Sequence, residues 1–309
     1  MADEKKTFRV IIWGVPRSIS TCILKCLSFQ PNTQAWYEPY CLAFFNDFMC
    51  ASMGFKLPRL MKDFDYAAFG AGMAAKVKGT PLENKFDPSK LDTSLFLRDS
   101  VRMQLDSLPA DKSYVIKDMA YGATGFYDML PSKEANFKHV FLIRRPDRMF
   151  PSWRRLLFKQ MTEGLSTGKP LEEETFDMTK DVTFMMPGYT YKCQYDLWKH
   201  VRENIDPNPV VIDCDDLATN PTLYLPKLCE AAGMPYTESL LEWDGSADIV
   251  NTWRCMIPLI NQEIHEVAFK STGFHTPKPA PPRDEMKPDT VKCIDATKQY
   301  YDEMAAFKL

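Results

Sequence analysis

The sequence predicts an α/β fold, a central parallel sheet flanked by helices, and three observations carry that expectation. Five short apolar runs, at 8–13, 34–37, 114–116, 139–143 and 210–212, read as buried strands. Helical patterns separate them, and that alternation points to parallel strands with sites at their C-terminal ends. Between the first strand and the first helix lies Gly14-Val15-Pro16-Arg17-Ser18-Ile19-Ser20-Thr21. There backbone N–H groups and a helix N-terminus converge where an anion can sit.

Each element follows from local chemistry. The first strand ends at Gly14 and Pro16, which suit a tight loop. A helix follows over 20–27, opened by hydroxyl residues suited to an N-cap. The second strand stops at Glu38-Pro39. Residues 59–78 read as helix, and so do 89–108, where Leu91, Leu95, Val101, Leu105 and Leu108 form one stripe. The third and fourth strands are each followed at once by a cation, Lys117 and Arg144. Residues 164–187, with the acidic run Glu172-Glu173-Glu174, read as an exposed loop or lid. The Pro-rich stretch 277–288 reads as a surface arm before a last helix near 290–306. No repeat or linker is visible, so 1–309 reads as one domain.

Composition bounds the function classes. Hydrophobic residues make up 45% and charged residues 26%, ordinary values for a chain with a packed core. Lys plus Arg total 38 against 41 acids, a net charge of −3. That balance gives no support to a nucleic-acid or membrane-surface partner, and an anion site must come from local placement of cations. No apolar signal core precedes the first strand, so a cytoplasmic location is the expectation. The nine cysteines are scattered without a Cys-x-x-Cys, which argues against a disulfide framework or a zinc site. No metal is expected.

The first loop misses the pattern G-x-x-x-x-G-K-[ST]: Ile19 stands at its second glycine and Ser20 at its lysine. A nucleotide kinase would lack the cation that reaches the β/γ-phosphates, which speaks against ATP. A second motif runs from Phe141 to Trp153, with Arg144 at a strand end and Ser152 eight residues on in the next helix. An Arg and a hydroxyl so placed can clasp a phosphate by charge-assisted hydrogen bonds.

Together these two motifs resemble those of sulfotransferases that use 3′-phosphoadenosine 5′-phosphosulfate (PAPS). The Gly-Val-Pro-Arg-Ser opening is most similar to protein-tyrosine sulfotransferases. The resemblance implies a P-loop NTPase-like three-layer sandwich and sulfuryl transfer, with PAPS as donor and PAP as product. It implies donor contacts from Arg17, Ser18, Ile19, Ser20, Thr21 and Cys22, with Arg144 and Ser152 on the 3′-phosphate. Cys22 stands where cytosolic members often carry Trp, and Cys214 where they carry a Tyr against adenine, so stacking must come from elsewhere. Residues 210–221 and 228–235 resemble the family's later strand and helix. Phe269-Lys270-Ser271-Thr272-Gly273-Phe274 sits where sulfotransferases carry a loop that closes over the donor, which implies Lys270, Ser271 and Thr272 as contacts.

Sulfuryl transfer needs in-line geometry, a base for the acceptor proton and cations for charge on the leaving phosphate. Cytosolic members place a His two residues after the strand Lys, and Met119 stands there here. Protein-tyrosine sulfotransferases instead use a Glu at the end of the second strand. Glu38 follows Arg17 at the same offset, and Lys117 matches the Lys. The resemblance therefore implies Glu38 as general base, with Arg17 and Lys117 as electrostatic stabilisers. Glu38 also reads as a helix-terminal carboxylate before Pro39, and Lys117 as the partner of Asp118 or another acid. His139, His200, His265 and His275 fall in no motif.

The expected acceptor is a small molecule with a hydroxyl or amine. Trp36, Tyr37, Tyr40, Phe44, Phe45, Phe48, Met185, Met186 and Tyr189 could line an apolar pocket for it, and read more readily as core. Two rival functions stay open, a kinase using ATP and Mg²⁺ and a catalytically idle nucleotide-binding protein. A homodimer is the assembly considered.

Overall fold

The structure, a computed structural model, describes residues 7–79, 92–163, 172–257 and 266–309. Strands β1 (Arg9–Gly14), β2 (Thr33–Tyr37), β3 (Ser113–Met119), β4 (Lys138–Ile143) and β5 (Val210–Asp213) form one parallel sheet, ordered β2-β3-β1-β4-β5. All five match the apolar runs of the sequence. They are buried on both faces, which is why they read as continuous apolar stretches rather than alternating ones.

The helices are α1 (Ser20–Ser28), α2 (Pro39–Ser52), α3 (Tyr66–Val77), α4 (Arg98–Asp106), α5 (Pro146–Glu163) and α6 (Met178–Asp181). They continue with α7 (Thr190–Asn204), α8 (Cys214–Thr219), α9 (Pro221–Ala231), α10 (Glu266–Phe269) and α11 (Pro288–Ala305). The pleat divides the sheet between two cores. Val10, Ile12, Val115, Val140 and Ile212 pack with Ile23 and Leu27 of α1 and Leu225 of α9. Ile11, Trp13, Ile116, Phe141 and Val211 pack with Tyr40 of α2, Val101 of α4 and Leu197 of α7. Helices thus cover both faces of a parallel sheet, the three-layer α/β architecture.

Several expectations need correction. The helix over 39–52 is absent from the sequence reading, because its apolar residues surround it and leave no stripe to detect. The stretch 59–78 holds a 3₁₀ turn at 61–63 and is α-helical only from Tyr66, where the Asp65 side chain accepts the N–H of Ala68 and starts α3. In 89–108 the α-helix begins at Arg98, preceded by a short 3₁₀ turn at 93–95. Leu95, Val101 and Leu105 are buried as expected, and Leu91 lies outside the described residues.

From Phe176 onward the region read as an exposed loop or lid is docked. Glu172, Glu173 and Glu174 are exposed, but Phe176, Met178 and Val182 pack against α5 and α11. Arg154 of α5 holds both oxygens of Asp289 at 3.1 Å and donates to the Phe176 carbonyl at 2.6 Å. Residues 164–171 lie outside the described residues. Among the described residues, no helix is long and apolar enough to cross a membrane.

Candidate active site

The site forms where β1 gives way to α1, between the ends of β3 and β4. Gly14 sits at a close approach: a Cβ there would lie 2.7 Å from the Ser18 hydroxyl oxygen. Arg17 (φ 62°) and Ile19 (φ 52°) both adopt left-handed backbone. For a β-branched residue such as Ile19 that conformation is strained, and such strain costs about 1–3 kcal/mol. The loop therefore keeps the turn a glycine would make without having the glycine. Ile19 occupies the N-cap and makes no side-chain cap, so Ser20 and Thr21 sit in the first helical turn rather than at the cap expected for them. The Cys214 thiol donates to the Ser18 carbonyl at 2.8 Å from beneath the loop, so Cys214 is a buried support and presents no stacking face.

Three of the predicted donor residues meet directly. The Arg17 Nε–H donates to Ser152 Oγ at 3.2 Å, and Arg144 donates through Nη1 to the Arg17 carbonyl. Asp215 lies 3.5 Å from Arg144 and 3.3 Å from Arg148. Arg17 has no paired carboxylate among the described residues. Burial first, then Arg144 and Arg155, hold its guanidinium below the ordinary value. Arginines crowded in this way carry an excess of positive charge suited to an anion.

Glu38 ends β2 and starts α2 on a left-handed backbone (φ 49°), its N–H bonded to the Lys117 carbonyl at 2.7 Å. The Lys117 ammonium donates to the Glu38 carboxylate and lies 4.7 Å from the centre of the Tyr37 ring. Lys117 stands inside β3 and is fully buried, a correction to its expected place just beyond the strand. Asp118, on the opposite face of the pleat, is not its partner. It accepts the N–H groups of Tyr40 at 2.6 Å and Cys41 at 2.9 Å, anchoring the first turn of α2. Burial pushes the Asp118 carboxyl up to about 7, and the charge of Glu38 acts in the same direction.

These groups surround a cavity of about 360 Å³. Arg17, Ser18, Ile19, Ser20, Thr21 and Cys22 form one wall, with Glu38, Arg144 and Ser271 also facing it. Ser152 and Lys117 stand one contact behind, on Arg17 and Glu38. Lys270 and Thr272 are outside the lining, and Lys270 pairs with Glu266 at 2.6 Å on the surface. The remaining wall is mainly apolar: Phe45, Met119, Tyr121, Trp153, Leu156 and Met185. Of the nine side chains expected around an acceptor, only Phe45 and Met185 line the cavity. Trp36, Tyr37 and Tyr40 are core, while Phe48 and Tyr189 are exposed. Lys25 escaped the sequence reading; a lysine between Ile23-Leu24 and Cys26-Leu27, in an apolar stripe, was the available signal. Among the described residues, no group of His, Cys, Asp and Glu is placed to hold a metal.

Comparison with known proteins bears on the resemblance. Residues 202–307 match a family model described as "Sulfotransferase domain". That stretch includes β5 and the 269–274 segment and lies apart from the loop at 14–21 and from Arg144. A curated relative, "Branched-chain-amino-acid aminotransferase-like protein 1" of Arabidopsis thaliana, is 24% identical over 283 residues, 87% of this chain. The chain spans 37% of that relative's length. Among solved structures, the sulfotransferase domain from the curacin biosynthetic pathway aligns over 98% of this chain and 99% of its own, at 14% identity and TM-score 0.45. Mouse sulfotransferase SULT7A1 complexed with PAP aligns over 98% and 83%, at 11% identity and TM-score 0.40. The family match covers 202–307, about a third of this chain, and is to a sulfotransferase domain.

Proposed function

We propose that the chain transfers a sulfuryl group from PAPS to the hydroxyl of a small, largely apolar acceptor, with Glu38 as general base. The observation that carries the reading is that Glu38 and Arg17 line one cavity, each on strained left-handed backbone. Strain of this kind persists only where surrounding structure over-determines it, and it clusters at ligand sites. The unbalanced charge of Arg17 suits a polyanionic donor, and Arg144 on the same cavity would recognise a 3′-phosphate, while Ser152 steadies Arg17 from behind. The apolar wall from Phe45 to Met185 suits an uncharged acceptor. Residues from Pro16 to His275 line one cavity beside one sheet, which supports reading the chain as one domain.

In the reaction the acceptor oxygen forms a bond to sulfur as the bond from sulfur to the 5′-phosphate oxygen breaks. PAP leaves with that electron pair, and Glu38 takes the acceptor proton. Arg17 faces the charge growing on the leaving phosphate. Lys117 has no surface on the cavity, so its role is to hold the Glu38 carboxylate in place.

Glu38→Gln tests the reading, because it keeps size and removes basicity. Turnover should fall by about 10²–10⁴-fold with PAP affinity little changed. Loss of PAP binding would make Glu38 structural, and an unchanged rate would remove it from the mechanism. Thermal shift with PAP, ATP and ADP, each with and without Mg²⁺, separates this donor from a kinase's.

A further inference from the structure

We propose that Lys25 is a positioning residue that holds residues 269–273 against the donor loop and so sets the grip on the nucleotide. The inference rests on the donor reading above. Lys25 lies in the second turn of α1 and is completely buried. Its ammonium donates to two backbone carbonyls, Phe269 at 2.5 Å and Ser271 at 2.9 Å. No carboxylate pairs with it among the described residues. Burying an ammonium costs several kcal/mol unless its donors are met, so a lysine here needs a compensating role that leucine or methionine would not fill.

The segment it holds is part of the cavity wall. Ser271, Gly273 and Phe274 line the cavity together with Cys22, whose sulfur is 3.8 Å from the Ser271 hydroxyl and from the Gly273 carbonyl. From the far side the Trp243 indole N–H reaches the Ser271 hydroxyl at 3.3 Å, and the Trp243 backbone N–H reaches the Thr272 carbonyl at 2.9 Å. Helix α1 therefore fixes two walls at once: its first turn carries the donor loop and Lys25 ties down the segment beyond. Lys270 points away to Glu266, so the lysine that serves this segment comes from α1.

Calorimetric titration with PAP decides the matter. Absence of PAP binding by the wild-type protein would overturn the donor reading and this inference with it. Given wild-type binding, Lys25→Met should raise the PAP Kd and the donor KM by tenfold or more. Its kcat at saturating donor should stay within threefold, and Lys25→Arg, which keeps a cationic donor, should retain affinity within about threefold. Equal PAP affinity in wild type and K25M would overturn the proposal, as would a fall in kcat at unchanged KM, which is the sign of lost folded enzyme. Should K25M not fold, hydrogen exchange on the wild-type protein decides. Amides of 269–273 should match the protection of α1 before ligand is added; exchange at exposed-loop rates beside a protected α1 would overturn the latch.

Discussion

Lys117 and Glu38, 79 positions apart in the chain, form an ion pair at the junction of β3 and α2, with the lysine fully buried and the carboxylate at the cavity edge. Removing one partner of a buried pair leaves an uncompensated charge, which typically costs about 3–5 kcal/mol. Lys117→Met should therefore lower stability by roughly 3 kcal/mol and also lower turnover, as Glu38 loses its orientation. The double variant Lys117→Met/Glu38→Gln should regain much of the stability and none of the activity. Denaturant midpoints and turnover on the four proteins check this; parallel recovery of both would refute the positioning role.

Arg144 should discriminate the donor's 3′-phosphate. Arg144→Ala should weaken PAP by about 1.5–3 kcal/mol while leaving adenosine 5′-phosphosulfate, which lacks that phosphate, nearly unchanged. Because Arg144 also donates to the Arg17 carbonyl, equal weakening of both ligands would mean that it acts through the loop instead. Calorimetry on both ligands separates the outcomes.

Gly14 and Ser18 should couple. A methyl group on Gly14 would meet the buried Ser18 hydroxyl, which has no hydrogen-bond partner among the described residues. Gly14→Ala should cost roughly 1–3 kcal/mol, the range for overpacking, whereas Ser18→Ala should be nearly neutral. The double variant should recover most of the loss, giving an interaction energy above about 0.5 kcal/mol in a double-mutant cycle. Additive effects would show that the contact is relieved elsewhere.

Acid should expose two opposed titrations. Burial lowers His139 to about 4, so as pH falls below 6.5 the unfolded chain binds a proton that the folded chain refuses, and stability declines. Asp118 has the opposite sign: between 3.8 and about 7 the folded chain binds the proton and the unfolded chain does not, so stability increases on acidification. Asp118→Asn removes the second contribution alone. Between pH 6.5 and 4 its stability should fall more steeply than that of wild type, with a limiting slope near 1.4 kcal/mol per pH unit from His139. Matching slopes in the two proteins would contradict the Asp118 shift.

Much of this architecture was legible because burial on both faces of a parallel sheet leaves a continuous apolar run. The five runs named every strand among the described residues, and the groups that follow them, Arg17, Glu38 and Arg144, face one cavity. Helix α2 was not legible, since a helix apolar on all sides carries no period. The expected lid was misread from its acidic start, because the buried Arg154–Asp289 pair that docks it joins residues 135 positions apart.

The sequence by itself determined the succession of strands along the chain, the Gly-Pro loop after the first of them and the absence of a Walker lysine, since each depends on neighbours within about ten residues. Tertiary structure alone decided that Lys117 serves Glu38 rather than Asp118, that Ser152 meets Arg17, and that Lys25 rather than Lys270 holds the 269–273 segment. The physical reason is the nature of the partners. A side chain bound to a distant backbone carbonyl leaves no residue type to read, because every residue offers the same carbonyl, and only the packing of α1 against that segment selects which one is reached.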